Sequence, residues 1–247
     1  MASPKDIDHL LEDWPYEPGE ISVRLICASG GRDVLQMRVE MGILQLEVEH
    51  RPDGKRPGGA DTYFDYLLGM SANEGDSLVL SEEQCTDADE EFMQFYQRRL
   101  CWLALKEYGL AVRDADHNLA FMDFVRKHSP SDQWTWSHEQ YRPFVLFHRT
   151  QAAALAALDE SGPQAAIEQF NQGLTRIESF FEEHGIEEQY KDDEMAGRLI
   201  EMRESLRDHY SVGPTLGEQL AEAVAKEQYE LAAKLRDKIT RDEPRGT

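Results

Sequence analysis

Residues 91–119, EFMQFYQRRLCWLALKEYGLAVRDADHNL, decide the fold class, because here the apolar period changes from two residues to three or four. Phe92, Phe95, Tyr96, Leu100, Leu103 and Ala104 share one helical face, and Tyr108, Ala111, Val112, Ala115 and Leu119 form a second. Three more helices are predicted downstream. One covers 140–160 through Phe144, Phe147, Ala152, Leu155 and Leu158. The next follows the break at Ser161-Gly162-Pro163 and carries Ile167, Phe170, Leu174, Ile177 and Phe181. The last covers 187–210 through Tyr190, Met195, Leu199, Met202 and Leu206, and Gly213-Pro214 ends it. Ser129 to Trp136 reads as a loop presenting Trp134 and Trp136.

Upstream of this stretch the period is two. Val23, Leu25 and Cys27 alternate with polar residues as far as the turn at Ser29-Gly30-Gly31. Leu35, Met37, Val39 and Met41 alternate next, and Leu44, Leu46 and Val48 resume after Gly42 with the opposite parity. A two-residue hairpin loop at Met41-Gly42 would set Val39 against Leu44, Met37 against Leu46 and Leu35 against Val48. A bulge at Gly42 would instead leave one bent strand from 34 to 48. The predicted class is α+β, mostly α. Residues 1–20 form a tail pinned by Trp14 and Tyr16, and 21–70 a small antiparallel sheet with a basic loop. A helical body spans 71–213, a helical hairpin 214–241 and a tail 242–247.

The chain has 247 residues and a net charge of −22, spread unevenly. Residues 57–97 carry ten acids and no Lys or Arg, whereas 215–247 carry seven acids against six bases. Such a charge opposes unassisted binding to nucleic acid, whose affinity comes largely from phosphate neutralisation. Anionic membranes are disfavoured on the same grounds. No apolar run approaches the roughly 20 residues that span a bilayer, and Met1 to Asp6 contain no apolar signal-peptide core, so a cytoplasmic location is expected. The acids Glu82-Glu83 and Asp87 to Glu91 lack the EF-hand spacing and read as the solvated start of a helix.

Chemistry-bearing motifs are few. Cys27, Cys85 and Cys101 include no C-x-x-C pair and are expected to be reduced and mostly buried. His128, His138 and His148 recur every ten residues, which is no ligand spacing on a helix. Phosphate loop, nucleophile elbow and dinucleotide fingerprint are all missing, so no catalytic residue, metal site or cofactor is predicted. Arg51, Lys55 and Arg56 gather three cations in the turn-forming loop 50–59 beside the most acidic stretch. They are candidates for binding an anion, or else connectors that pair with nearby acids.

Two stretches, Lys106 to Leu119 and Ala166 to Leu174, resemble the second helix of a tetratricopeptide repeat, although 55 rather than 34 residues separate them. A more specific pattern lies at the C-terminus. Leu216, Leu220, Ala223 and Val224 precede a Glu227-x-Tyr229-Glu230 turn, followed by Ala232-Ala233, Leu235-Arg236-Asp237 and Ile239. This pattern closely resembles the UVR (UvrB/UvrC) motif. The residues themselves describe a helical hairpin. Thr215 and Glu218 have capping-box spacing. Glu222 with Lys226 and Glu230 with Lys234 form i,i+4 pairs. Ala232 and Ala233 permit close approach, and Tyr229 fills the space beside them.

The resemblance implies a protein-interaction element, with Leu220, Val224, Tyr229, Leu235 and Arg236 as partner-binding residues. The partner would be another protein or a second copy. The resulting expectation is a bacterial, cytoplasmic, non-catalytic adaptor or regulator. One alternative is an accessory factor of nucleotide-excision repair acting through UvrB or UvrC. The other is an enzyme with an unrecognised site near the basic loop.

Overall fold

A computed structural model describes residues 6–242, so the outermost parts of the two expected tails, 1–5 and 243–247, lie outside the described residues. The chain is α+β and mostly α, and it divides into two compact units, one ending at Ala152 and the other starting at Ala153. The expected helical body, 71–213, is therefore shared between the units. None of the helices among the described residues is long and apolar enough to cross a membrane.

The first unit begins with a short helix, α1 (Asp8–Glu12), and an antiparallel meander of β1 (Val23–Cys27), β2 (Asp33–Val39) and β3 (Gly42–Glu47), with β2 central. The hairpin reading holds, but its register differs from expectation. Val39 pairs with Gly42, Met37 with Leu44 and Leu35 with Leu46, so the loop is Glu40-Met41. The expected register was two residues away, and a shift of two leaves every side chain on its original face. Leu35, Met37 and Leu46 thus still meet the helices in one core with Cys101, Trp102 and Ala111. On β1 only the Val23 end joins that core, while Leu25 is half exposed and Cys27 exposed. Behind the sheet, Arg24, Gln36 and Gln45 form a cross-strand ladder of hydrogen bonds, at 2.9 and 3.1 Å. The Trp14 ring lies over Arg24, and the Trp14 carbonyl accepts from Arg38 at 2.7 Å, so the tail covers this second face.

Beyond the basic loop, α2 (Tyr63–Glu74) occupies residues that were expected to belong to the sheet region or to begin the helical body. Its apolar pattern is weak, but Thr62 caps it by accepting from the Asp65 amide at 3.0 Å. Helix α3 (Glu82–Leu105) starts at a complete Ser81/Gln84 capping box and ends on Lys106, whose positive φ turns the chain into α4 (Tyr108–His128). Rings stack here, Phe64 of α2 on Phe121 of α4 and Phe92 of α3 on the same Phe121, with centroids 4.9 and 4.6 Å apart. The stretch expected as a loop with two tryptophans contains a helix, α5 (Asp132–Glu139), capped by Ser131. Its Trp134 donates to Asp89 at 3.1 Å, a tether that periodicity could not reveal. Helix α6 (Arg142–Ser161) follows.

In the second unit, Gly162 at φ 91 and Pro163 start α7 (Pro163–Glu183), whose Ile167, Phe170, Leu174 and Ile177 are buried. The single helix expected over 187–210 is interrupted. A one-turn helix, α8 (Glu187–Tyr190), stops, and the Asp193 carboxylate caps α9 (Glu194–Tyr210) by accepting from the Ala196 amide at 2.8 Å. Of the five apolar residues expected to line that helix, only Leu199 is fully buried, and α9 packs on α7. The two stretches resembling tetratricopeptide helices fall on α4 and α7, one in each unit.

Candidate functional site: the C-terminal hairpin

The last two helices, α10 (Leu216–Ala225) and α11 (Tyr229–Asp242), pack against each other as a hairpin. Thr215 and Glu218 form the full capping box at its start. At the bend the Glu227 amide donates to the Val224 carbonyl at 3.0 Å, and the Gln228 amide to the Ala223 carbonyl at 2.8 Å. These two bonds close a Schellman-type end that satisfies carbonyls the helix leaves open. Glu227 carries the positive φ, 55°, in a conformation that glycine would adopt more cheaply.

Inside the hairpin, Ala223, Ala232 and Leu235 are buried, with Leu216 and Leu220 packed against them. Small Ala223 and Ala232 let the two helices close on a core of their own. Outside it, Val224 is 53% exposed, Tyr229 68% and Leu231 45%. The five residues expected to bind a partner therefore divide. Leu220 and Leu235 serve the interior, whereas Val224, Tyr229 and Arg236 face water, Arg236 pairing with Asp237 at 2.8 Å. Tyr229 does not fill the space beside the two alanines as expected. It is exposed instead and lines a surface groove with Glu227, Gln228, Glu230, Leu231 and Lys234. Ala233 is exposed too, and Lys226 pairs with Glu222 as its spacing predicts.

The base of α10 is seated on α7 and α9 by polar groups. Glu218 accepts from the Thr215 amide at 2.8 Å, from Asn171 at 3.1 Å and from Arg207. Thr215 donates its hydroxyl to Glu168 at 2.9 Å, and Arg203 donates to Asn171 at 2.8 Å. Burial pushes the Glu218 carboxyl upward, but the Thr215 amide, Arg207 and Asn171 outweigh it and hold the carboxyl below the ordinary range. Gly217 fits because it lacks a side chain, since a Cβ there would come 2.6 Å from a Glu168 carboxylate oxygen. The sequence signalled the capping box but not this seat, whose acceptors and donors lie 11 to 47 residues apart.

The basic loop is a different kind of place. Arg51 is 2% exposed and turned inward, with Asp53, Glu90 and Glu91 at 3.3, 3.5 and 3.6 Å. Lys55 lies 3.5 Å from Asp53, and Arg56 pairs with Asp61 at 2.7 Å. The three cations thus share one loop, and each is met by acids of the same chain. Glu91, expected on a solvated helix start, is fully buried. It accepts from the Tyr63 and Phe64 amides at 2.6 and 3.0 Å and so caps α2 from another helix.

Sequence reasoning also missed a buried fork beside it. Arg98 donates twice to Asp114, both at 2.8 Å, and also to the Glu47 and His50 carbonyls at 3.1 and 2.7 Å. Trp102 donates to the same Asp114 at 3.1 Å. Among the described residues, no three His, Cys, Asp or Glu side chains converge as metal ligands would. Cys85 and Cys101 are buried, and burial pushes the Cys101 thiol up to about 12.

Residues 215–241 match the family model of the UvrB/uvrC motif. Comparison with curated proteins gives no match, and neither does comparison with solved structures.

Proposed function

We propose that this chain is a cytoplasmic, bacterial, non-catalytic adaptor or regulatory protein. It engages another protein, or a second copy of itself, through the outer side of its C-terminal hairpin. The observation that carries this reading is the division of apolar residues in the hairpin. The core closes without Val224, Tyr229 and Leu231, which remain in water around the bend. A large exposed tyrosine beside aliphatic groups is typical of an anchor at a protein interface. The glutamate kept at positive φ, where glycine would be easier, supports a role for that side chain rather than for the turn alone.

The test compares full-length chain, chain lacking residues 215–247, and a Val224→Asp/Tyr229→Ala variant in pull-down and light scattering. Both substitutions lie outside the hairpin core, so folding is expected to be unchanged. Partner recovery or self-association is expected to fall at least about tenfold, as for loss of an interface anchor. Equal recovery and equal oligomeric mass across the three proteins would overturn the proposal.

The motif match favours one second reading, an accessory factor of nucleotide-excision repair that works through UvrB or UvrC. That reading requires recruitment to damaged DNA only when those proteins are present.

A further inference from the structure

Glu218 performs two chemically separable tasks. Within α10 it completes the capping box by accepting from the Thr215 amide, a role glutamine fills equally well. Toward the rest of its unit it accepts from Asn171 of α7 and Arg207 of α9, and the bond from Arg207 is charge-assisted, so a neutral acceptor in its place would hold it less strongly.

The groups around the carboxylate form one closed network. Arg203 donates to Asn171 at 2.8 Å, and Glu204 lies 2.8 Å from Arg203 and 3.3 Å from Arg207. Arg207 also donates to the Gly213 carbonyl at 3.1 Å, and Glu168 accepts from Thr215 at 2.9 Å. Among the described residues the apolar cluster of the hairpin, in contrast, comprises Leu216, Leu220, Ala223, Ala232 and Leu235, all within α10 and α11. The seat is polar and the core is private.

We propose that Glu218 is a charge-dependent latch. Its ion pair with Arg207 holds the hairpin on α7 and α9, and loss of that charge frees the hairpin to move about Gly213-Pro214 without unfolding. The latch concerns the seat of the hairpin, so it goes beyond the docking reading and stands or falls separately from it. The depressed carboxyl of Glu218 is in keeping with this role.

Hydrogen exchange of the full chain, followed by mass spectrometry, tests the latch in Glu218→Gln and Arg207→Gln. Each variant is expected to exchange about tenfold faster over 211–217, as expected on losing one charge-assisted bond, while 221–225 and 229–240 stay protected. The double variant should go no further than either single one. Unchanged exchange over 211–217 in either variant would overturn the latch. Equal acceleration across the whole of α10 and α11 would also overturn it, because the carboxylate would then be folding the hairpin rather than holding it.

Discussion

Adjacent arginines in α3 occupy opposite electrostatic situations. Arg98 is 1% exposed, with its guanidinium matched by the Asp114 carboxylate and two main-chain carbonyls. Arg99 is equally buried, yet its Nε and Nη1 find no hydrogen-bond partner, and burial pushes its pKa down to about 10. Removing one member of a buried, hydrogen-bonded pair leaves the other charged and unsatisfied, which costs about 3–5 kcal/mol. Arg98→Met should therefore destabilise the first unit by that amount in urea unfolding. Arg99→Met removes two buried N–H groups that lack acceptors and keeps an apolar stem, at the cost of the guanidinium's contact with the Tyr96 ring, so stability should stay level or rise by about 1 kcal/mol. Comparable losses in the two variants would refute this assignment. Little of it was legible in the sequence, because the spacing of Arg98, Arg99 and Asp114 does not say which charges meet an acceptor. Charge at a core-facing position was the one available signal.

Elements with strong periodicity were readable, and those held by tethers were not. The hairpin of β2 and β3, the long helices α3, α4, α6 and α7, and the closing pair α10–α11 follow from spacing, because each buries one regular face. Helices α2 and α5 escaped notice because side chains from elsewhere hold them, Glu91 at the start of α2 and Asp89 on the Trp134 side chain of α5, on a stretch with little apolar pattern of its own. Helix α10 offers a prediction at this scale. Its Glu218 carboxyl has a folded pKa below its ordinary value of 4.5. The stabilisation it supplies is thus complete above the ordinary value and is lost as pH falls through the depressed one. Protection of residues 211–217 against exchange, corrected for intrinsic rates, should drop on acidification below that range. In Glu218→Gln the step should be absent. A step of the same size in the variant would trace it to another group.

At the scale of the whole molecule, the charge of −22 is only partly a solvent-facing coat. Several carboxylates from the acidic stretch tie the first unit together, Glu91 fully buried and Asp89 and Glu90 half exposed. Glu91 caps α2, Glu90 meets Arg51, and Asp89 holds Trp134 and His138. The remaining surplus still opposes phosphate backbones. The isolated protein should show no binding to duplex DNA at about 150 mM salt, read by fluorescence anisotropy. Saturable binding under those conditions would contradict the charge argument. The acid-rich composition was legible from the first reading, but which acids are structural depends on folding distances that composition does not carry.

The Arg98 fork also bears on the order in which the first unit assembles. Arg98 and Asp114 are 16 residues apart, whereas the Glu47 and His50 carbonyls are 51 and 48 residues from the same guanidinium. Closing the shorter loop costs less chain entropy, so the α3–α4 pair is the cheaper nucleus. Once Asp114 has fixed the plane of the guanidinium, its remaining donors are aimed where the end of the sheet must arrive. On loop-closure grounds a single side chain would act as a template that converts a local helical event into long-range capture of the meander.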